Sequence, residues 1–345
     1  MPLYLFKYQI WKYKFQKLAF TLKAFWSYVG IYRQVVWLKI THPNRPIIGI
    51  LLAEHLGDIV AAEPIVGALQ QKHPGAFICW IAKKHFHVLL ENHPGIHMVI
   101  EEKNIYTSTL LGKQNPFSFF YNLHINGTRN QPYYEPIFFN PKSKELQLTV
   151  ENYYSKNNLL EIFAKYAAVV ITQDQPHLYV KDAPVSLPFT GEYWVIHTKS
   201  NQTSREWKDE KWNQLIDVIL DHLPIHIIEV GTNHGIPNQH PKFHSFVGKL
   251  SLLESIHVMK RAQFFIGIDS GPSHIANALQ IPALLILGRY ENFDRYMPFS
   301  GAYKNGKIAH IYFNKLQTAA DHSVEEIWDA IEKTYLKQPA ELVKS

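Results

Sequence analysis

Short apolar runs alternate along this chain with stretches whose apolar residues recur at helical spacing, the rhythm of parallel strands joined by helices. Residues 47–53, 76–82, 98–100 and 117–124 predict strands, and 61–69, 86–90 and 152–169 predict helices. A turn-rich segment at 181–191 follows. Beyond it, 193–197, 225–230, 264–268 and 281–288 predict strands, with helices over 212–220, 252–260, the stretch after Pro272, and 324–336. The expected class is therefore α/β, with a helical arm at 1–45, one doubly wound parallel-sheet domain at 46–185, a second at 186–335 and a tail at 336–345.

Two strand ends carry the chemistry. At the later one, Asp269, Ser270 and Gly271 form a turn into a helix opened by Pro272, whose missing N–H costs nothing in a first turn. The exposed amides and positive end of such a helix suit an anion, above all phosphate. Taken alone the turn also fits simple helix capping. The earlier strand end repeats the design: Gly57 and Asp58 form a glycine turn bearing a carboxylate before the next helix.

The arm has a different pattern. Tyr4, Tyr8, Trp11, Phe15, Leu18, Leu22, Phe25, Val29 and Tyr32 are spaced by alternating steps of four and three, which places them on one side of a helix. Lysines flank that stripe, as on a helix lying in a lipid interface, although Ile10, Tyr13 and Phe20 fall on other faces. A helix packed on the domain surface is the plainer alternative.

Composition sharpens the division. The chain has 345 residues and a formal net charge of +6, and every residue before Glu54 that carries charge is a lysine or arginine. The basic surface thus belongs to the arm, and an anionic membrane contacted through residues 1–40 is the expected partner rather than nucleic acid. No signal peptide is evident, and the uncharged stretch 24–32 is about half of what a spanning helix needs. The single cysteine, Cys79, sits in an apolar run and is expected in the core, fitting a reducing compartment.

Both turns, together with His73 and Pro74, Asn92 to Pro94, and His197 followed by Ser204, Arg205, Glu206, Trp207 and Trp212, resemble glycosyltransferase family 9, the group of the lipopolysaccharide heptosyltransferases. The resemblance runs over about residues 47–335 and implies a GT-B fold, two Rossmann-like doubly wound domains facing a cleft. It implies an inverting transfer of a heptose or other hexose-type sugar from a nucleotide-diphosphate donor to a lipid-linked or lipopolysaccharide-type glycan acceptor. Asp58 is then the general base, a role that its place at a strand end of an open sheet also suits. The donor set is Arg205, Ser200, Gly231, Asp269, Ser270, Gly271 and His274, with the turn amides and Arg205 holding the leaving diphosphate and Asp269 orienting the loop. Gly57, His124, Asn126 and Arg129 make the acceptor side.

Three departures from the family pattern stand out. Arg205 occupies a lysine position and Lys208 a proline position, and residues 232–238 lack the acidic residue expected against the donor ribose. The sequence has no Asp-x-Asp and no coherent histidine spacing, His240 and His244 included, so neither a metal nor another cofactor is expected. The resemblance also places the protein at the cytoplasmic face of a bacterial inner membrane. Two other readings keep the fold: a catalytically silent sugar-nucleotide or lipid-binding protein, and a nucleotide-sugar epimerase.

Overall fold

The computed structural model describes residues 3–125, 140–291, 293 and 296–336, with side chains from residue 11 onward. In chain order the elements begin with α1 (Leu3–Thr41), β1 (Ile47–Leu51), α2 (Leu56–Ala61), α3 (Ile65–Lys72), β2 (Phe77–Ala82) and β3 (Met98–Glu101). Next come α4 (Ile105–Lys113), β4 (Phe119–Asn122), α5 (Pro141–Leu146), α6 (Tyr153–Lys156), α7 (Leu159–Ala167), β5 (Tyr193–His197) and α8 (Asp209–His222). The remainder are β6 (His226–Glu229), β7 (Phe243–Ser245), α9 (Leu252–Lys260), β8 (Phe264–Gly267), α10 (Gly271–Ala278), β9 (Ala283–Gly288), α11 (Gly301–Lys304), β10 (Ala309–Asn314) and α12 (Val324–Ile331).

The chain forms two compact units, each interleaved in sequence with the other. The first comprises Met1–Glu54, Ile65–Tyr153 and Phe163–Val170; the second comprises His55–Pro64, Tyr154–Ile162 and Ile171–Ser345. The segment carrying Asp58 therefore belongs with the second unit.

Each unit is built on a parallel sheet. In the first the strand order is β3-β2-β1-β4. Strands β1 and β2 are buried along their whole length, as continuous apolar runs must be when both sheet faces are covered. Gly49 in β1 lets the Phe117 ring close on the sheet, since a Cβ there would lie 2.8 Å from the ring. Helix α1 supplies Ile31, Val35 and Leu38 to this core, beside Ile47, Leu51 and Phe77. Cys79 is buried in the same core, which pushes its thiol up to about 12 and leaves it unreactive.

The second sheet has the order β10-β9-β8-β5-β6-β7, all parallel. Its core gathers Trp194, Trp207, Trp212, Ile266 and Ile286 with Ile327 from α12. Ser251 and Ser323 start α9 and α12 with reciprocal capping boxes.

The structure differs from the sequence expectations at several elements. The helix expected over 61–69 is two helices separated at Pro64, and the first begins early enough to contain Asp58. The helix expected over 152–169 breaks at Asn157 and Asn158, where the Asn158 side chain accepts the Glu161 N–H at 2.9 Å and caps α7. Helix α4 and the strands β7 and β10 have no counterpart in the sequence reading.

Candidate active site

The turn after β8 is pinned from one side by its neighbouring strand. Ser270 is the N-cap of α10, yet its hydroxyl does not cap the helix; it lies 2.9 Å from His197 Nδ1 and 3.3 Å from Ser273 Oγ. His197 ends β5 in register with Gly267 of β8. Burial lowers the His197 imidazole to about 4, so near neutral pH the ring carries no charge and can share one hydrogen bond with Ser270. The first-turn amides of α10, which no intrahelical carbonyl can satisfy, keep their positive end available to an anion.

Against this turn lies the start of α2. His55 precedes that helix at φ 65, a left-handed conformation that a β-carbon disfavours. Gly57 and Gly271 allow the two helix ends to meet: a Cβ on Gly57 would lie 2.8 Å from the His274 ring, and one on Gly271 would lie 2.7 Å from Leu56. Asp58 occupies the first turn of α2, where its carboxylate adds to the field of the helix end without capping it. Among the described residues the carboxylate makes no hydrogen bond or ion pair. Burial raises its pKa, Asp269 adds to the rise, and the charges of His55 and Arg205 oppose it. The result is a carboxyl group held above the usual aspartate range and left without a partner.

Asp269 has the opposite surroundings. Its Oδ2 is 2.8 Å from Arg205 Nη1 and also accepts the Tyr296 hydroxyl, while Oδ1 stands 4.0 Å from His274 Nε2. Arg205 comes from a short helical turn, Thr203–Arg205, anchored by the next large side chain in sequence. Trp207 is buried against Trp212 with ring centroids 5.2 Å apart, and its indole donates to the His322 carbonyl at 2.9 Å. The guanidinium stacks on Tyr290, 4.1 Å from the ring centroid, and its buried Nε has no protein acceptor. Burial alone would lower the guanidinium pKa, but Asp269 and the nearby tyrosines outweigh it and raise the value. Tyr154 closes the group, with ring centroids 5.0 Å from Tyr296 and 5.4 Å from Phe293. The cluster thus holds one carboxylate without a partner, one fixed cation with an unused donor, and a helix amide end.

Comparison with known proteins places this arrangement. Residues 160–305 match the model of glycosyltransferase family 9 (heptosyltransferase). Lipopolysaccharide heptosyltransferase 1 of Escherichia coli K12 is 25% identical over 139 residues, 37% of this chain and 42% of that protein. The likeness to family 9 belongs to this part of the chain. Among solved structures, the family 9 glycosyl transferase of Veillonella parvula superposes with TM-score 0.59 at 14% identity, covering 85% of this chain and 98% of that one. The E. coli heptosyltransferase WaaC with ADP gives TM-score 0.54 at 16% identity over 83% and 97% of the two chains. The fold is thus the GT-B fold of the heptosyltransferases. The aligned stretches span less than half the length of the curated relatives.

The family 9 match contains Arg205 and the turn from Asp269 to His274, whereas Gly57 and Asp58 lie outside it. The structure nevertheless brings Gly57, Asp58, Arg205, Asp269, Ser270, Gly271 and His274 into one cluster. Gly231 sits beside His197, which a Cβ would approach to 3.7 Å. Ser200 belongs to the Arg205 loop, its N–H donating to Glu206 at 2.8 Å.

Two of the expected residues also have a packing role. His274 is buried between Gly57 and Phe299 at the meeting of the helix ends, and burial lowers its pKa to about 4. His124 belongs to the first unit, where its buried ring accepts the Ala53 N–H at 3.2 Å and holds the end of β1. Asn126 and Arg129 lie outside the described residues.

Sequence reasoning missed Tyr154 and Tyr290, which carry no local signature. It also searched residues 232–238 for a carboxylate and passed over Glu229 beneath them. That side chain is fully buried, accepting Thr198 and Ser245 hydroxyls at 2.8 Å and the Ile236 N–H at 3.0 Å, so it shapes the loop from below.

Proposed function

We propose that this protein is an inverting glycosyltransferase that moves a heptose or related sugar from a nucleotide-diphosphate donor to a lipopolysaccharide-type acceptor. The observation that carries the reading is the meeting of Asp58 with Arg205 and the amide end of α10 in one cluster. Asp58 accepts the proton of the acceptor hydroxyl as that oxygen forms its bond to the anomeric carbon from the face opposite the leaving group. The bond from that carbon to the diphosphate oxygen breaks in the same displacement, and the configuration inverts. The negative charge gathering on the diphosphate meets the Ser270 and Gly271 amides and the free Nε of Arg205.

The electrostatics support this division of roles. A raised aspartate pKa brings the base closer to working pH, where proton transfer is most effective. Arg205 keeps the charge of a lysine at that position and adds a planar donor set suited to two phosphate oxygens. Relatives named as heptosyltransferases, one of them solved with ADP, favour an adenine nucleotide. No protein group in the cluster is assigned to a metal in this reading.

Thermal unfolding with ADP, UDP, GDP, CDP and dTDP, with and without magnesium, tests the donor site. A ligand at one hundred times its Kd stabilises by about 2.7 kcal/mol, a readable shift. The reading expects one diphosphate, ADP, to shift the transition without magnesium. No shift with any diphosphate would count against the donor site.

A further inference from the structure

Helix α1 has two apolar faces, and among the described residues only one is packed against the fold. Ala24, Ile31, Val35 and Leu38 are buried, the last three in the core of the first unit. Asn104 and Thr107, at the start of α4, donate to the Phe20 and Ala24 carbonyls at 3.2 and 3.3 Å, fastening the same side. The opposite side carries Trp11, Phe15, Leu18, Leu22, Trp26 and Ile40, all exposed; Trp11, Phe15 and Trp26 are 69%, 74% and 67% accessible. From residue 11 to 40 this stripe is about 45 Å long at the rise of an α-helix. Soluble chains seldom display an apolar stripe of that length without a partner. No helix among the described residues is long and apolar enough to cross a membrane.

We infer that α1 is an interfacial helix that docks the protein on an anionic lipid surface through this stripe. Charge decides between lipid and a second copy of the chain. Lys12 and Lys23 border the stripe on one side and Lys14 and Lys39 on the other, Arg33 lies within it, and the helix has no acidic residue. In a helix pair, Lys12, Lys14 and Arg33 would flank the seam and face their own kind, where paired helices need opposite charges. An anionic surface meets all of them at once. The aromatic content points the same way: Trp and Phe suit headgroup depth, and Lys14 already rests on the Trp11 ring at 5.3 Å. Because α1 is fastened to α4 by its inner face, docking places the first unit at the lipid surface without unfolding any of it.

Cosedimentation of the full chain with vesicles of equimolar phosphatidylglycerol and phosphatidylcholine tests the inference, with pure phosphatidylcholine vesicles alongside. The expected result is binding to the anionic vesicles only, reversed by molar salt, with a blue shift of tryptophan emission from Trp11, Trp26 and Trp37. The double variant Phe15→Glu, Leu22→Glu is expected to bind at least about tenfold more weakly, since each apolar side chain contributes on the order of 1.5–3 kcal/mol when buried. Both positions are exposed, so its thermal unfolding should match the parent. A second variant, Lys12→Glu, Lys14→Glu, Lys23→Glu, keeps the stripe and should also lose anionic vesicles. No vesicle binding by the parent, or undiminished binding by both variants, overturns the inference. A dimer that needs Phe15 and Leu22 and ignores vesicles overturns it in favour of a second copy.

Discussion

The turns bearing Asp58 and Asp269 look alike in sequence, each a strand end, a glycine, a carboxylate and a helix start, yet the fold gives the two carboxylates opposite surroundings. Asp269 is buried and tied to Arg205 and Tyr296, with the His274 ring 4.0 Å away. Asp58 stands one helix away with its carboxylate unpaired and its pKa raised by burial. A carboxylate held by a cation and a hydroxyl orients a loop, whereas one without partners is free to take a proton. What separates them is the company each keeps. Packing supplies that company: Gly57 and Gly271 bring the helix ends together, and Trp207 anchors the loop that gives Arg205 to Asp269 and not to Asp58.

The comparison predicts stability effects of opposite sign. Replacing Asp269 by Leu strips the partner from a buried Arg205 and should cost about 3–5 kcal/mol, read as a lower unfolding midpoint in urea. Asp58→Asn should instead leave the midpoint unchanged or raise it. The folded pKa of Asp58 lies above its ordinary 3.8, so its ionisation costs stability as pH rises above that value, and the amide removes the cost at neutral pH. A drop for Asp58→Asn comparable to that of Asp269→Leu would erase the distinction.

Acid should weaken the shared support of both turns. His197 and His274 are buried and neutral, with pKa values near 4 against an ordinary 6.5. The folded values lie below the unfolded ones, so this stability is complete above pH 6.5 and is lost as pH falls through 4. Each histidine contributes up to roughly 3 kcal/mol, and His274→Asn should flatten its share of the slope. A further destabilisation is expected of Gly57→Ala, whose methyl group would press on the His274 ring. It should cost about 1–3 kcal/mol by overpacking and lower turnover by displacing Asp58, while His274→Ala in the same chain should recover part of the loss.

Much of this was legible in the chain. The buried strands Tyr193–His197 and Phe264–Gly267 follow from unbroken apolar runs, and Asp58 and Asp269 from loops at strand ends, while Arg205 came from the family resemblance. Strand β10 was not legible, because His310 and Phe313 are exposed on an edge where alternation is blurred. Helix α4 is rich in threonine and serine, and its start depends on an Asn104 cap fastened to α1, a tertiary fact. In α1 a single stripe was sought where two exist, and residues off the first stripe, such as Ile31 and Val35, proved to be its buried face. Tyr154 and Tyr290 belong to the same class of omission, since only the fold brings them to Arg205 and Tyr296.

The most direct test is to measure turnover and nucleotide-diphosphate binding side by side for Asp58→Ala and Asp269→Ala. The account predicts a crossed result. Asp58→Ala should lose about 10²- to 10⁴-fold in turnover, the usual worth of a general base, while its thermal shift with ADP stays within error of the parent. Asp269→Ala should lose the ADP shift. Parallel losses in both variants, or turnover that survives Asp58→Ala, would contradict the division of labour between the two turns.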